Sequence, residues 1–307
     1  MMKNTLCKIC GEAAVETFRI PSSKLTGQPI PDAPDDCVYY ECTRCRFCFT
    51  DVLDAIDHTG VYDESYWNNQ DPDWYGRVTE TLRLVLLSNA LLARDPAQIE
   101  ILDFGCGMGT FIQTAREKLN MQAWGHDIIE PKFGKEFFLK ELPEKKFDII
   151  VSCEVLEHLP FPYEILKKVL RSLKPGGVFA FQTAYYDPEV CKRDWWYIGP
   201  ANGHVSLYSV GTFDVLFQKF GGVKRMMWNN YPGIQAWQIA NSDDYQGTPH
   251  LDMKTKKGGS PMQAPVCRTH TAPGTSRQEP SFRSMLKTVA PEWAKRIYRR
   301  ARSLMVS

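Results

Sequence analysis

The sequence predicts an α/β fold: a doubly wound, mostly parallel sheet of seven strands with helices on both faces, closed by a C-terminal antiparallel hairpin and preceded by a small cysteine-bearing ribbon. Three observations predict it. From residue 99 to about 241, short apolar runs alternate with runs of helical period, and such alternation folds as parallel strands joined by crossover helices. A glycine-rich turn, Asp103-Phe104-Gly105-Cys106-Gly107-Met108-Gly109, joins the first apolar run to the first helix after it. Six of the ten cysteines fall within the first 50 residues.

The strands are read in order at residues 99–105, 121–128, 135–142, 146–155 and 177–184, with helices over 109–120, 162–173 and 209–222. The first helix turns Phe111, Ile112 and Ala115 inward. The second is expected to stop at Lys174-Pro175-Gly176-Gly177, because proline cannot continue a helix and glycine caps it. Residues 223–241 read as two strands around an Asn230-Tyr231-Pro232-Gly233 turn. Upstream, residues 78–92 have helical spacing and end before Asp95-Pro96. The chain therefore divides into a metal module (1–50), a connecting and helical segment covering the ligand site (51–98), the α/β domain (99–241), a linker (242–281) and a basic amphipathic helix (282–307). The linker holds five Pro, four Gly and one aromatic, Tyr245, too little apolar surface to order itself.

Bulk composition excludes some classes. Lys+Arg 37 against Asp+Glu 36 leaves no basic surplus for a dedicated nucleic-acid binder, so no nucleic-acid partner is expected. No run is long enough to span a membrane, and the polar start lacks the apolar core of a signal peptide. A cytoplasmic location is expected, where cysteines serve as metal ligands or inert core residues rather than disulfides.

Glycines at a strand-to-helix turn let the backbone approach a ligand without a Cβ in the way. Asp127 ends the next strand 22 positions after Gly105, where a carboxylate can accept both hydroxyl protons of a ribose. Dinucleotide folds favour G-x-G-x-x-G, whereas here the spacing is G-x-G-x-G with an acid two residues before the first glycine. Hydride transfer is the competing reading, since Tyr163 and Lys167 match Y-x-x-x-K with Ser152 upstream, but the glycine loop that such a dyad needs is missing. At the N-terminus, Cys7-x2-Cys10 and Cys42-x2-Cys45 form two knuckles with 31 residues between them. Four thiolates so paired suit a closed structural zinc site, with Cys37 and Cys48 left over.

The stretch Asp103–Gly109, continued by FDIIVSCEVLEHL and LKPGGVF, resembles the class I S-adenosylmethionine-dependent methyltransferases, over roughly residues 99–240. The resemblance implies a Rossmann-like fold and S-adenosylmethionine as cofactor. It also implies that Asp103, Gly105, Cys106, Gly107 and Gly109 hold the methionine part, Asp127 the ribose, and Cys153 and Glu154 the rest of the cofactor wall. Lys140, Glu141 and Leu142 would lie on the adenine side. Only about twenty residues separate Asp127 from Phe147, so the usual helix there is reduced. With CxxCG…CxxC and VYDESYW ahead of it, the chain also resembles bacterial methyltransferases of sugar and cell-surface polysaccharide pathways.

The loop Glu154-Val-Leu-Glu157-His158 resembles that of quinone-biosynthesis O-methyltransferases and small-RNA 3′-terminal ribose methyltransferases. The resemblance implies a divalent ion, Mg²⁺ or Mn²⁺, on Glu154, Glu157 and His158, with His204 after the fifth strand as the added ligand. A cation lowers the pKa of a bound hydroxyl and fixes its position. Without one, His204 or His158, beside Glu157, would serve as general base. Arg193-Asp194-Trp195-Trp196-Tyr197, in the same post-strand loop, could stack on a sugar ring. The function expected is methyl transfer to an oxygen of a saccharide or other small hydroxylated acceptor. An RNA methyltransferase with a zinc knuckle and a catalytically silent nucleotide-binding scaffold stand as alternatives. The last segment carries seven Lys/Arg against Glu292 alone, and a cationic amphipathic helix can lie peripherally on the inner membrane.

Overall fold

The computed structural model describes residues 4–24, 30, 32–55, 77–92, 94–226 and 234–240. Most of the acidic-aromatic stretch before residue 77, the turn around Tyr231, the linker and the basic C-terminal helix with its membrane contact lie outside the described residues. Among the described residues no helix is long and apolar enough to cross a membrane.

The N-terminal part is an antiparallel sheet: β1 (Asn4–Leu6), β2 (Ala13–Pro21), β3 (Asp36–Cys42) and β4 (Cys48–Thr50). Each cysteine pair sits in the tight turn between two of these strands. Gly11 (φ 77°) and Arg46 (φ 59°) take the left-handed conformation those turns demand.

The second part starts with α1 (Arg77–Leu92), followed by β5 (Glu100–Phe104), α2 (Thr110–Leu119), β6 (Gln122–His126), β7 (Phe147–Cys153), α3 (Pro162–Arg171) and β8 (Leu173–Gln182). After it come β9 (Ser206–Leu207), α4 (Val210–Gln218), β10 (Val223–Met226) and β11 (Ile234–Ile239). The large sheet runs β10-β11-β8-β7-β5-β6. β6, β5, β7 and β8 are mutually parallel, and β11 is antiparallel to both β8 and β10.

Alternation along each strand sorts the core into two layers. Ile101, Ile149, Val151, Val178 and Ala180 face α1 and α2 through Val78, Leu82, Val85, Phe111 and Ala115. Leu102, Ile150, Phe179 and Phe181 face α3 and α4 through Leu166, Leu170, Phe213 and Phe217. The second layer is aromatic, with Phe217 stacked on Trp237 at 4.2 Å and 10°. Fully burying such a ring contributes about 1.5–3 kcal/mol.

Three expectations need correction. Among the described residues the sheet has six strands rather than seven: residues 135–142 form a short 3-10 turn, Lys135–Phe137, whose ladder to β6 is one parallel bridge, Gly125 to Phe138. The residues there do not alternate; Phe137 instead packs under Arg116, which also lies over Trp124. Second, α3 ends before the glycines, and Lys174-Pro175-Gly176-Gly177 already belongs to β8, with Leu173 registered beside Phe147. Third, the cysteine module is not a ribbon bounded at residue 50. Its sheet takes a fifth strand, β9, from the α/β part, giving the order β1-β2-β3-β4-β9.

Candidate active site

A cavity of about 440 Å³ opens at the C-terminal ends of β5, β6 and β7, where ligands of open α/β sheets bind. Its floor is the glycine turn. Gly105, Gly107 and Gly109 all have positive φ, at 79°, 52° and 81°, because the chain must reverse from β5 into α2 within a few residues. Asp127 closes the turn from the neighbouring strand: its carboxylate accepts from Gly107 N at 2.8 Å and Ile128 N at 2.7 Å. Burial raises the Asp127 pKa, against the pull of those amides. Asp103, buried at the end of β5, is pushed well up by burial first and by Asp127 second.

Gly109 does not line the cavity. It caps α2, and a Cβ there would meet Phe133 O at 2.1 Å. Gly109→Ala is therefore expected to distort the turn, costing about 1–3 kcal/mol for strain at a left-handed residue and weakening cofactor binding. Thermal unfolding and cofactor titration of the variant check both effects.

The opposite wall is the loop after β7. Glu154 itself has φ 53°, a left-handed conformation that non-glycine residues hold only when the surroundings enforce it. Its carboxylate accepts from Tyr197 OH at 2.9 Å. Burial, then the neighbouring Glu157, push its pKa up to about 8. Glu157 is wholly buried and accepts from Thr183 Oγ1 at 2.8 Å, while its other oxygen, Oε1, has no hydrogen-bond partner. His158 Nε2 lies 3.9 Å from that oxygen. His204 donates from Nδ1 to Tyr197 O at 2.7 Å, since a carbonyl can only accept, so its Nε2 carries a lone pair, which accepts from Asn202 Nδ2 at 3.3 Å. Burial lowers both histidine pKa values, favouring the neutral rings. The ligand atoms of Glu157, His158 and His204 lie within 4.8 Å of one another.

The Glu154 pKa makes stability depend on pH. The folded chain holds a proton that the unfolded chain, with its ordinary value of 4.5, has released. This contribution is complete below about 4.5 and is lost as pH rises through about 8. Glu154→Gln is expected to show a shallower fall in Tm between about pH 5 and about pH 8.5 than the natural chain, and equal slopes would contradict the assignment.

The four knuckle cysteines form the other cluster. Cys7 and Cys45 sulfurs are 3.7 Å apart, Cys10 and Cys42 3.4 Å, and Cys10 and Cys45 3.8 Å. A tetrahedron with metal–sulfur bonds of about 2.3 Å has edges of about 3.8 Å. Backbone N–H groups of Ile9, Arg44 and Cys45 point at the Cys7 and Cys42 sulfurs, each at 3.4 Å, as they would toward thiolates. The Cys45 thiol draws Cys7 down to about 5, while burial pushes Cys10 up to about 11. The donor set fits one soft or borderline cation. Cys37 and Cys48 pack in a separate apolar cluster.

Of the residues expected at the cofactor, Asp103, Gly105, Cys106, Gly107, Asp127, Cys153 and Glu154 line the cavity, as does Leu142, whereas Lys140 and Glu141 do not. His158 lines it, but Glu157 and His204 stand behind the wall. Glu154 is outside the Glu157–His158–His204 cluster, because its carboxylate turns to Tyr197. Tyr197 is buried and the neighbouring Trp196 half exposed, and neither lines the cavity. Tyr163 stacks on Phe220 at 5.2 Å rather than facing a ligand. Sequence reasoning set residues 51–98 over the ligand site without naming contacts there; Arg77, Val78 and Thr81 line the cavity from α1.

A central parallel strand ending in a glycine turn, an acid closing the next strand and an acid–histidine loop after the third form the arrangement expected of a class I S-adenosylmethionine-dependent methyltransferase domain. Residues 78–222 match the family model described as a methyltransferase domain. The chain is 27% identical over 159 residues to a ubiquinone biosynthesis O-methyltransferase of Pseudomonas fluorescens (strain Pf0-1), covering 46% of this chain and 66% of that one. It is likewise 27% identical over 108 residues to the ubiquinone biosynthesis O-methyltransferase of Pseudomonas entomophila (strain L48), covering 29% of this chain and 46% of that one. The chain thus spans about half to two thirds of the length of these curated relatives. Among solved structures it aligns with the Burkholderia thailandensis 1,6-didemethyltoxoflavin-N1-methyltransferase, solved with 1,6-didemethyltoxoflavin and S-adenosylhomocysteine bound. That alignment has a TM-score of 0.47 and 13% identity, over 78% of this chain and 99% of that one.

Proposed function

We propose that the chain transfers a methyl group from S-adenosylmethionine to an oxygen of a small hydroxylated acceptor, a saccharide above all. The observation that carries this is the cavity itself, floored by the glycine turn and Asp127 and walled by Glu154 and His158. Bound there, S-adenosylmethionine supplies an electrophilic methyl carbon. The chain's own contribution is alignment of the acceptor with that carbon and removal of the hydroxyl proton. With a cation on Glu157, His158 and His204, the bound hydroxyl would lose its proton more easily; without one, neutral His158, on the wall, would serve as general base, with Glu157 beside it to steady the imidazolium.

The oxygen acceptor draws support from the relatives' names, and the saccharide from the resemblance carried by the cysteine module. Glu157, His158 and His204 would hold Mg²⁺ or Mn²⁺, and the unpartnered Glu157 Oε1 fits such a ligand. Cys7, Cys10, Cys42 and Cys45 would hold a structural zinc.

The test supplies purified full chain with S-adenosylmethionine and a panel of nucleotide sugars, lipid-linked saccharides and catechols, following S-adenosylhomocysteine by mass spectrometry. Acceptor-dependent formation of S-adenosylhomocysteine is expected, abolished by EDTA and restored by Mg²⁺ or Mn²⁺ but not by zinc. Cofactor binding without turnover on any hydroxylated acceptor would overturn the proposal. Full turnover after exhaustive chelation would leave His158 as base and remove the cation.

A further inference from the structure

Residues 203–212 run along the seam between the two sheets and are strapped from both sides. On the cysteine-module side, β4 pairs with β9, Cys48 opposite Leu207 and Phe49 opposite Ser206, and Thr50 N donates to Val205 O at 3.0 Å. Cys45 O accepts from Thr212 Oγ1 at 2.8 Å and Ser209 Oγ at 3.1 Å, the two side chains that form the capping box of α4. Tyr39, in β3 and fully buried, donates its hydroxyl to His204 O at 2.6 Å. On the other side, Val205 N donates to Glu157 O at 2.9 Å. Ser206 Oγ donates to Leu159 O at 2.6 Å and Tyr208 OH to Leu156 O at 2.7 Å. One edge of the run thus rests on the cysteine module, and the other carries the acid–histidine loop.

We infer that Tyr39 is a positioning residue for His204, and that the cysteine module is a working part of the acceptor side of the site rather than an appended domain. The inference rests on reading Glu157, His158 and His204 as the acceptor-side cluster. His204 N donates to Gly199 O at 3.1 Å and Asn202 Nδ2 lies 3.3 Å from its Nε2, and two further hydrogen bonds fix the residue at opposite ends. Nδ1–H to Tyr197 O sets the tautomer and the ring, and the Tyr39 hydroxyl sets the peptide plane. Together they hold Nε2 among Glu157 and His158, where it can accept a proton or a cation. Without the Tyr39 hydroxyl, His204 O would be a buried acceptor lacking that donor, and the peptide must turn to find another. The ring moves with it. A misplacement of about 1 Å at a reacting group can cost about a hundredfold in rate.

The test is Tyr39→Phe in the full chain, which keeps the ring and its packing on Phe18 at 5.2 Å and removes only the hydroxyl. S-adenosylhomocysteine affinity should stay within about twofold and zinc content should not change, since neither site uses that oxygen. A kcat lower by roughly 10- to 100-fold with KM for S-adenosylmethionine unchanged is expected. In ¹⁵N-histidine spectra, the His204 ring signals, assigned with His204→Asn, should shift or broaden relative to the natural chain. Leu170→Val, on the buried face of α3, controls for lost stability and should leave kcat and the His204 signals alone. A Tyr39→Phe protein with natural kcat and natural His204 signals would overturn the inference, as would losses equal to those of Leu170→Val. Should no acceptor be methylated at all, the proposed function fails separately and the His204 spectrum still decides the coupling.

Discussion

Replacing Asp127 by alanine is expected to weaken S-adenosylhomocysteine binding by about 1.5–3 kcal/mol, roughly 10- to 150-fold, the usual worth of hydrogen bonds to a charged group. The carboxylate has two tasks. It accepts from Gly107 N and Ile128 N, so it shapes the turn, and it faces the cavity where a ribose would present its hydroxyls. Asp127→Asn separates them: the amide oxygen can still accept one backbone N–H but cannot take both ribose protons. Affinity should therefore fall in the order natural chain, Asn, Ala. Calorimetry that finds the alanine variant unchanged would remove Asp127 from the cofactor site.

Loss of the knuckle metal is expected to have the larger structural effect. Freshly purified, reduced protein should contain about one zinc per chain. Zinc bound by such cysteine sets contributes about 10–16 kcal/mol in isolated peptides, comparable with or above the whole stability of an ordinary domain, about 5–15 kcal/mol. The cluster also anchors the rest of the chain. Cys45 O receives the α4 cap, Lys219 Nζ donates to Ile9 O at 2.5 Å, and the knuckle residues share one apolar core with Leu102, Phe181 and Phe213. Cys42→Ser should accordingly lower the melting transition of the whole chain and reduce zinc content in parallel. A metal-free preparation that melts at the same temperature as Cys42→Ser and the natural chain would show the four sulfurs to be ordinary buried thiols.

What the sequence disclosed was chemistry set by short-range spacing. The glycine turn, the acid 22 positions on and the paired cysteines each need fixed local offsets, and the structure brings each group together. Strands β5 and β7 were equally readable, because strands buried on both faces are near-continuously apolar. Residues 135–142 misled because three adjacent apolar side chains suit a strand by composition, while here Phe137 packs against Arg116 and Leu139 against the α3–α4 core. The joining of the two sheets was hidden for a different reason. β9 is two residues long, too short for any periodicity, and Tyr39 reads as one aromatic among several until the fold brings it to His204. The turning of Glu154 toward Tyr197 depends on a left-handed backbone that no residue type announces. Arg77 and Val78 reach the cavity only because α1 crosses the sheet above it, a long-range consequence of packing.

The most direct test of the central claim, that the cavity is built for the methyl donor, is calorimetric titration of the natural chain with S-adenosylhomocysteine, with NAD⁺ titrated in parallel. The account predicts one S-adenosylhomocysteine bound per chain, weakened by Asp127→Ala, and no binding of NAD⁺. Absence of S-adenosylhomocysteine binding, or tighter binding of NAD⁺, would contradict it.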